Sequence, residues 1–149
     1  MYILGHMAIG YFSAKIIKKI TGYNYNIFIV WFLSVLPDID LLIPNLLHRG
    51  PTHSLTIILL VFIITYLAKI KLMPYVAALG SHSLIGDLLT SNVGEWGIGI
   101  QLFWPFTPEK YSLPLKMSLN QQLNIEQILF IIMIVDILYS ILVSKRILK

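Results

Sequence analysis

Apolar runs alternate with short polar turns along this chain, and the alternation predicts five helices, at about 3–20, 27–47, 52–70, 72–91 and 124–144. Thr21-Gly22-Tyr23-Asn24-Tyr25-Asn26 has the composition of a turn and separates the first two. His48-Arg49-Gly50-Pro51-Thr52 separates the second from the third, with Pro51 or Thr52 as a good helix start. Lys69-Ile70-Lys71 leaves only a tight connection to the fourth, which carries Pro74 in its first turn. Residues 92–123 form the one long irregular segment, marked by Gly94, Gly97, Gly99, Pro105, Pro108 and Pro114. With no internal repeat, low-complexity tract or long linker in view, a single domain over 1–149 is expected.

Composition decides what these helices sit in. Hydrophobic residues make up 57% of the chain, its mean hydropathy is +0.80, and 12% of residues are charged, against roughly 25% in an ordinary soluble domain. Eleven basic and seven acidic side chains are too few to cover the outside of a soluble fold. The expectation is an all-α integral membrane bundle of four to five helices, with the lipid bilayer as its surroundings. A full crossing takes about 20 apolar residues. The third run is the cleanest, from Leu55 to Ala68, and the fifth is apolar from Ile128 to Val143 apart from Asp136 and Ser140. The other three carry polar residues. There is no cysteine, which excludes disulfides, thiolate metal sites and cysteine nucleophiles. No cleaved signal peptide is expected, because Lys15, Lys18 and Lys19 follow the first apolar stretch instead of preceding it.

Charge then sets a direction. If the spans alternate, one face collects Lys15, Lys18, Lys19, Lys69, Lys71, Lys145, Arg146 and Lys149, and the other only Arg49, Lys110 and Lys116. The richer face is expected to be cytoplasmic. The chain is then a multi-pass protein of the cell (inner or plasma) membrane with its N-terminus outside and its C-terminus inside. Trp96, Trp104 and Tyr111 fall where an outer interfacial belt would place them. The net charge of +4 is spread between apolar runs, so topology explains it and no nucleic-acid partner is expected.

The polar residues inside the apolar spans carry the chemistry. On the five-span topology His6, Asp38, Asp40, His48, His53, His82 and Asp87, scattered over 80 positions, converge on the outer end of one bundle. Ionisable groups at membrane depth are expensive unless paired or bound to a cation. A His/Asp cluster without thiolate suits Zn²⁺, with Mn²⁺ and Fe²⁺ as alternatives. Asp136 lies mid-span, with Tyr139 or Ser140 as its expected pairing or packing partner.

At these residues the chain resembles the membrane-bound metal-dependent hydrolases of the YdjM type, a family related to zinc-dependent phospholipase C and the single-strand nucleases. The matching stretches are Gly5-His6, Leu36-Pro37-Asp38-Ile39-Asp40, His48-Arg49-Gly50-Pro51-Thr52-His53-Ser54-Leu55, Ser81-His82 with Gly86-Asp87-Leu88-Leu89-Thr90, and Leu102-Phe103-Trp104-Pro105. The resemblance implies a helical membrane enzyme with a metal centre that hydrolyses an ester, including phosphoesters. Two departures stand out. Leu41 occupies a position where the family often has His, and His82 precedes Asp87 by five residues where the family tends to have four, Ser83 being at the four-residue position. Side chains five apart on an α-helix point about 140° from one another, against about 40° for four. A widened turn near Gly86 would realign them.

Metal ligands are expected at His6, Asp38, His53, His82 and Asp87. Asp38 and Asp40 stand about 200° apart on a regular helix, so Asp40 is a ligand only if the backbone leaves helical geometry. Otherwise it holds a histidine or takes the proton of water, a base role that Asp87 shares if it is not a ligand. His48 has a catalytic or ligand role, and Arg49 is the natural fork for a phosphate oxygen. Thr52 and Ser54 are expected to cap or pack. The function expected is hydrolysis of a phosphoester or other ester of a lipid or lipid-linked substrate at the outer leaflet. The alternative is a non-enzymatic membrane protein that binds or conducts a divalent metal ion or protons. The apolar runs Ile27–Leu33 and Ile57–Ile64 on the cytoplasmic side favour a one-sided site over a conduit.

Overall fold

The computed structural model describes residues 1–90, 99–113 and 117–147, the side chains of 145–147 excepted. Trp96, Lys116 and Lys149 lie outside the described residues, as do the side chains of Lys145 and Arg146. The fold is all-α. Helix α1 runs Ile3–Thr21, α2 Ile27–Val35, α3 Leu55–Lys69, α4 Met73–Ser81, the short α5 Leu88–Thr90 and α6 Leu119–Ile147. A 3-10 helix, Leu36–Leu42, continues α2, and a π-helix, His82–Asp87, joins α4 to α5. Among the described residues the only β pairing is one antiparallel bridge between Ile100 and Tyr111.

Local chemistry explains the boundaries. Gly22 ends α1 at φ +76°, a conformation glycine adopts without strain, and its N–H returns to the Lys18 carbonyl. Asn26 caps α2 by accepting from the N–H groups of Phe28 and Ile29. Pro37 has no N–H to continue the α ladder, and the expected second span, 27–47, is α-helical only to Val35. The third helix begins at Leu55, with Ser54 as its cap, and not at Pro51 or Thr52; Pro51–His53 is a separate 3-10 turn. At Lys69 the backbone leaves the helical region (φ −152°, ψ +73°), and α3 folds back onto α4.

Helix α1 is central, packing on α2, α4 and α6. Beside His6 and Tyr11 its buried residues are small, Gly5, Ala8, Gly10 and Ala14, and a Cβ on Gly10 would run into Ser34. Close helix approach through small residues is the usual way membrane helices associate. The bundle is turned inside out relative to a soluble fold. Phe28, Phe32, Leu67, Ile131 and Leu142 are exposed, whereas His6, Asp40, Arg49, His53, His82 and Asp87 are buried. The stretches Leu55–Thr90 and Leu119–Ser144 are long and apolar enough to cross a membrane, the first as a bent pair.

Candidate metal centre

The 3-10 helix after Pro37 settles how Asp38 and Asp40 act together. With three residues per turn they stand about 120° apart, and both reach the His53 ring from different sides. Asp38 Oδ1 lies 3.4 Å from Nε2 and Asp40 Oδ2 lies 3.3 Å from Nδ1. Asp40 also receives the Thr52 hydroxyl on Oδ2 at 2.8 Å, and its Oδ1 lies 2.9 Å from His48 Nδ1. One buried carboxylate therefore holds two imidazoles.

The π-helix brings in the remaining pair. Widening the backbone between His82 and Asp87 offsets their five-residue spacing, and the two side chains meet at 3.2 Å between Nε2 and Oδ2. Gly86 lies inside this widened turn. A Cβ there would stand 2.7 Å from the His6 ring, so glycine lets α1 lie against the π segment.

Four donor atoms then surround one point: His53 Nε2, His82 Nε2, Asp38 Oδ1 and Asp87 Oδ2. Their separations are 3.1 Å (His53–His82), 3.1 Å (His53–Asp87), 3.2 Å (His82–Asp87), 3.2 Å (His82–Asp38) and 3.4 Å (His53–Asp38). A tetrahedral metal holding N and O donors at 2.0–2.1 Å separates them by about 3.3 Å. The tautomers agree with this use. His82 Nδ1 donates to the Ser34 carbonyl at 2.7 Å, and His53 Nδ1 is placed against Asp40. Each neutral ring then presents a lone pair at Nε2. Four such donor atoms facing one another could hold a metal ion between them.

The other expected residues lie around this core. His6 is not in the group of four. Its ring stacks on His82 with centroids 3.6 Å apart, and its Nε2 is 3.1 Å from the Met1 carbonyl oxygen and 3.7 Å from Asp87 Oδ1. It packs the cluster from the side. Asp87 Oδ1 faces Arg49 Nη2 at 3.9 Å and the Met1 nitrogen at 3.3 Å. Asp40, His48 and His53 form a second group with donor atoms within 4.8 Å of one another, with the Thr52 hydroxyl between Asp40 and His53. A cavity of about 230 Å³ opens beside the core, lined by Asp38, His48, Arg49, Asp87 and Gln122 on its polar side.

Arg49 adopts φ +62° and is buried, held by a clamp that spacing alone did not identify. Gln101 N–H donates to the Arg49 carbonyl, and the Ser54 hydroxyl reaches the carbonyls of Leu102 and Trp104. Ser54 thus caps α3 and fastens the 100–105 segment. Thr52 and the Ser34 carbonyl were also missed as orienting groups. Thr52 had a signal in its place between Asp40's two histidines in the motif, while a backbone carbonyl leaves none in a sequence.

The chain matches the family model of the YdjM inner membrane protein over residues 1–147. It belongs to that family. No curated protein and no solved structure matches it. Membership places this YdjM-family chain in a membrane and leaves its chemistry to the cluster itself.

Proposed function

We propose that this YdjM-family protein is a metal-dependent hydrolase acting on a phosphoester or other ester of a lipid or lipid-linked substrate at the outer leaflet. The observation that carries the reading is the ring of four acceptor atoms, at tetrahedral spacing, on the wall of a cavity that also holds an arginine. Zn²⁺ suits two imidazoles and two carboxylates, with Mn²⁺ and Fe²⁺ as weaker fits. His53, His82, Asp38 and Asp87 would hold it, and His6 would brace His82. When bound, such an ion would supply Lewis acidity toward the scissile oxygen and lower the pKa of water toward about 7.

The chain's own residues do the rest. Asp40 keeps His53 in its tautomer and fixes the His48 ring through Nδ1, and His48, on the cavity wall, would take a proton from water and return it to the leaving group. Both Asp40 oxygens are engaged, which supports an orienting role for Asp40 and the base role for His48. The Arg49 guanidinium faces the cavity and would neutralise charge developing on the substrate. The eight-to-three asymmetry of basic residues supports the outward-facing site.

Metal analysis of detergent-purified protein, paired with hydrolysis of a soluble phosphoester such as p-nitrophenyl phosphate, tests the reading. About one zinc per chain and chelator-sensitive turnover are expected. Protein that takes up neither Zn²⁺ nor Mn²⁺ would overturn it. Two metals per chain would reassign Asp40 and His48 as ligands. Labels near residues 1 and 110 should react from outside and one after residue 144 only from inside. A conduit for ions is disfavoured by the exposed apolar faces of α3 and α6 and by the one-ended placement of the cluster.

A further inference from the structure

Resting on the hydrolase reading above, we infer that the apolar groove along α2 and the following 3-10 helix seats one hydrocarbon chain of a membrane lipid, whose phosphate-bearing head lies in the Arg49 cavity. Of the four core side chains, His53, His82 and Asp87 are at most 3% exposed, whereas Asp38 is 25% exposed. The cluster therefore opens at Asp38. That residue, with Ile3 and Leu41, lines two spaces at once. One is the polar cavity of about 230 Å³. The other is a groove of about 390 Å³ formed by Phe32, Val35, Leu36, Ile39 and Leu42.

The groove residues recur three or four apart and make a single apolar stripe down one face. Pro37 keeps that stripe beside the carboxylates by tightening the helix while the chain runs on. Phe32, Ile39 and Leu42 are 60%, 44% and 81% exposed, so in a bilayer this face meets lipid. Among the described residues Asp38 is the only polar one on its lining. An extended peptide segment would bring backbone N–H and C=O groups with nothing to satisfy them, whereas a hydrocarbon chain needs no such partner. Across Asp38 the cavity offers a guanidinium and a histidine beside the Asp38 and Asp87 carboxylates, whose charge a bound cation would offset, chemistry for a compact phosphate head. The apolar groove and the polar cavity meet at the exposed edge of the core, which puts the junction between chain and head beside the four donors. A second apolar groove of about 350 Å³, between α1, α3 and α4, includes Phe62, Val76 and Ala77 and none of the cluster residues, so it serves as a control.

The test is photolabelling of the full, zinc-loaded protein in detergent with hexadecyl phosphate carrying a diazirine at the chain end. Label is expected on the peptide spanning 27–42 and should be displaced by unlabelled hexadecyl phosphate, but at least tenfold less well by hexadecyltrimethylammonium. Val35→Trp should lower labelling at least fivefold, while Ala77→Trp leaves it unchanged. Labelling spread over the apolar belt, or equal displacement by the cationic amphiphile, would overturn the inference. The unmodified chain decides the matter even if Val35→Trp misfolds. Groove labelling without turnover of any phosphoester would sink the hydrolase reading alone, and turnover with label elsewhere would sink the groove alone.

Discussion

Among the described residues, two places bring charged groups together within the bundle, and they are built on opposite principles. Midway along α6, Asp136 pairs with Lys15 and receives the Tyr11 hydroxyl at 2.5 Å, both from α1. Cation, anion and donor match, and nothing is left over. At the other place Asp38, Asp40 and Asp87 converge with His53 and His82, and four acceptors point at a common centre. The first is complete within the protein and ties two helices together. The second gathers donor atoms that could hold a cation. Depth and charge alone do not distinguish a structural contact from a site in a membrane bundle; whether the donors and acceptors balance does.

The sharpest way to break the comparison is to remove one group from each place. His53→Ala or Asp38→Asn deletes a donor and should lower zinc affinity by more than the 10–100-fold typical of orienting partners, read by metal content after dialysis. Asp136→Asn should leave zinc content unchanged. Retained full occupancy in Asp38→Asn would show that the cluster is another self-contained contact.

The next effect is smaller and separates holding from orienting. Asp40→Asn keeps the shape but weakens the hold on His53 Nδ1 and His48 Nδ1, so zinc affinity should fall by roughly 10–100-fold. Thr52→Val removes only the hydroxyl on Asp40 and should move affinity in the same direction by less. If Asp40→Asn abolished binding as completely as His53→Ala, Asp40 would be a ligand. Arg49→Lys should leave zinc bound and slow phosphoester turnover, because the charge stays and the planar fork is lost.

These expectations show what spacing makes legible. The convergence of seven residues on one end followed from assigning spans, and the structure brings them there. The five-residue gap from His82 to Asp87, with Gly86 inside it, called for a widened turn, and a π-helix covers those residues. The tightening after Pro37 is open to view in the proline itself, yet the apolar pattern runs through it as one long span over 27–47, and the relation of Asp38 to Asp40 depends on where that span changes from α to 3-10. Contacts between distant segments were not legible. His6 lies close to the cluster but spends its Nε2 on Met1. Asp136 was expected to pair within its own helix. Ser140 instead donates to the Asp136 backbone, and the carboxylate turns to Tyr11 and Lys15, 125 and 121 residues away. No local period encodes a partner that far off.

The smallest effect concerns that contact, and it tests the comparison from the other side. Polar contacts between membrane helices contribute about 0.6 kcal/mol on average and up to about 1.7. Asp136→Leu alone removes the anion and strands the Lys15 ammonium against α6, so it should cost more than the pair was worth. Lys15→Met alone strands the carboxylate, though Tyr11 still donates to it, and should cost less. The double change Lys15→Met with Asp136→Leu leaves neither charge and should recover most of the loss, with a coupling energy of about 1 kcal/mol or more in a double-mutant cycle read by steric-trap or denaturant unfolding in detergent. Zinc content should be the same in all four proteins. Additive losses would mean that the two side chains do not act as a pair, and a parallel fall in zinc would mean that α6 transmits its position to the cluster through its other contact with the start of α1, where Glu126 accepts the Tyr2 N–H at 3.0 Å.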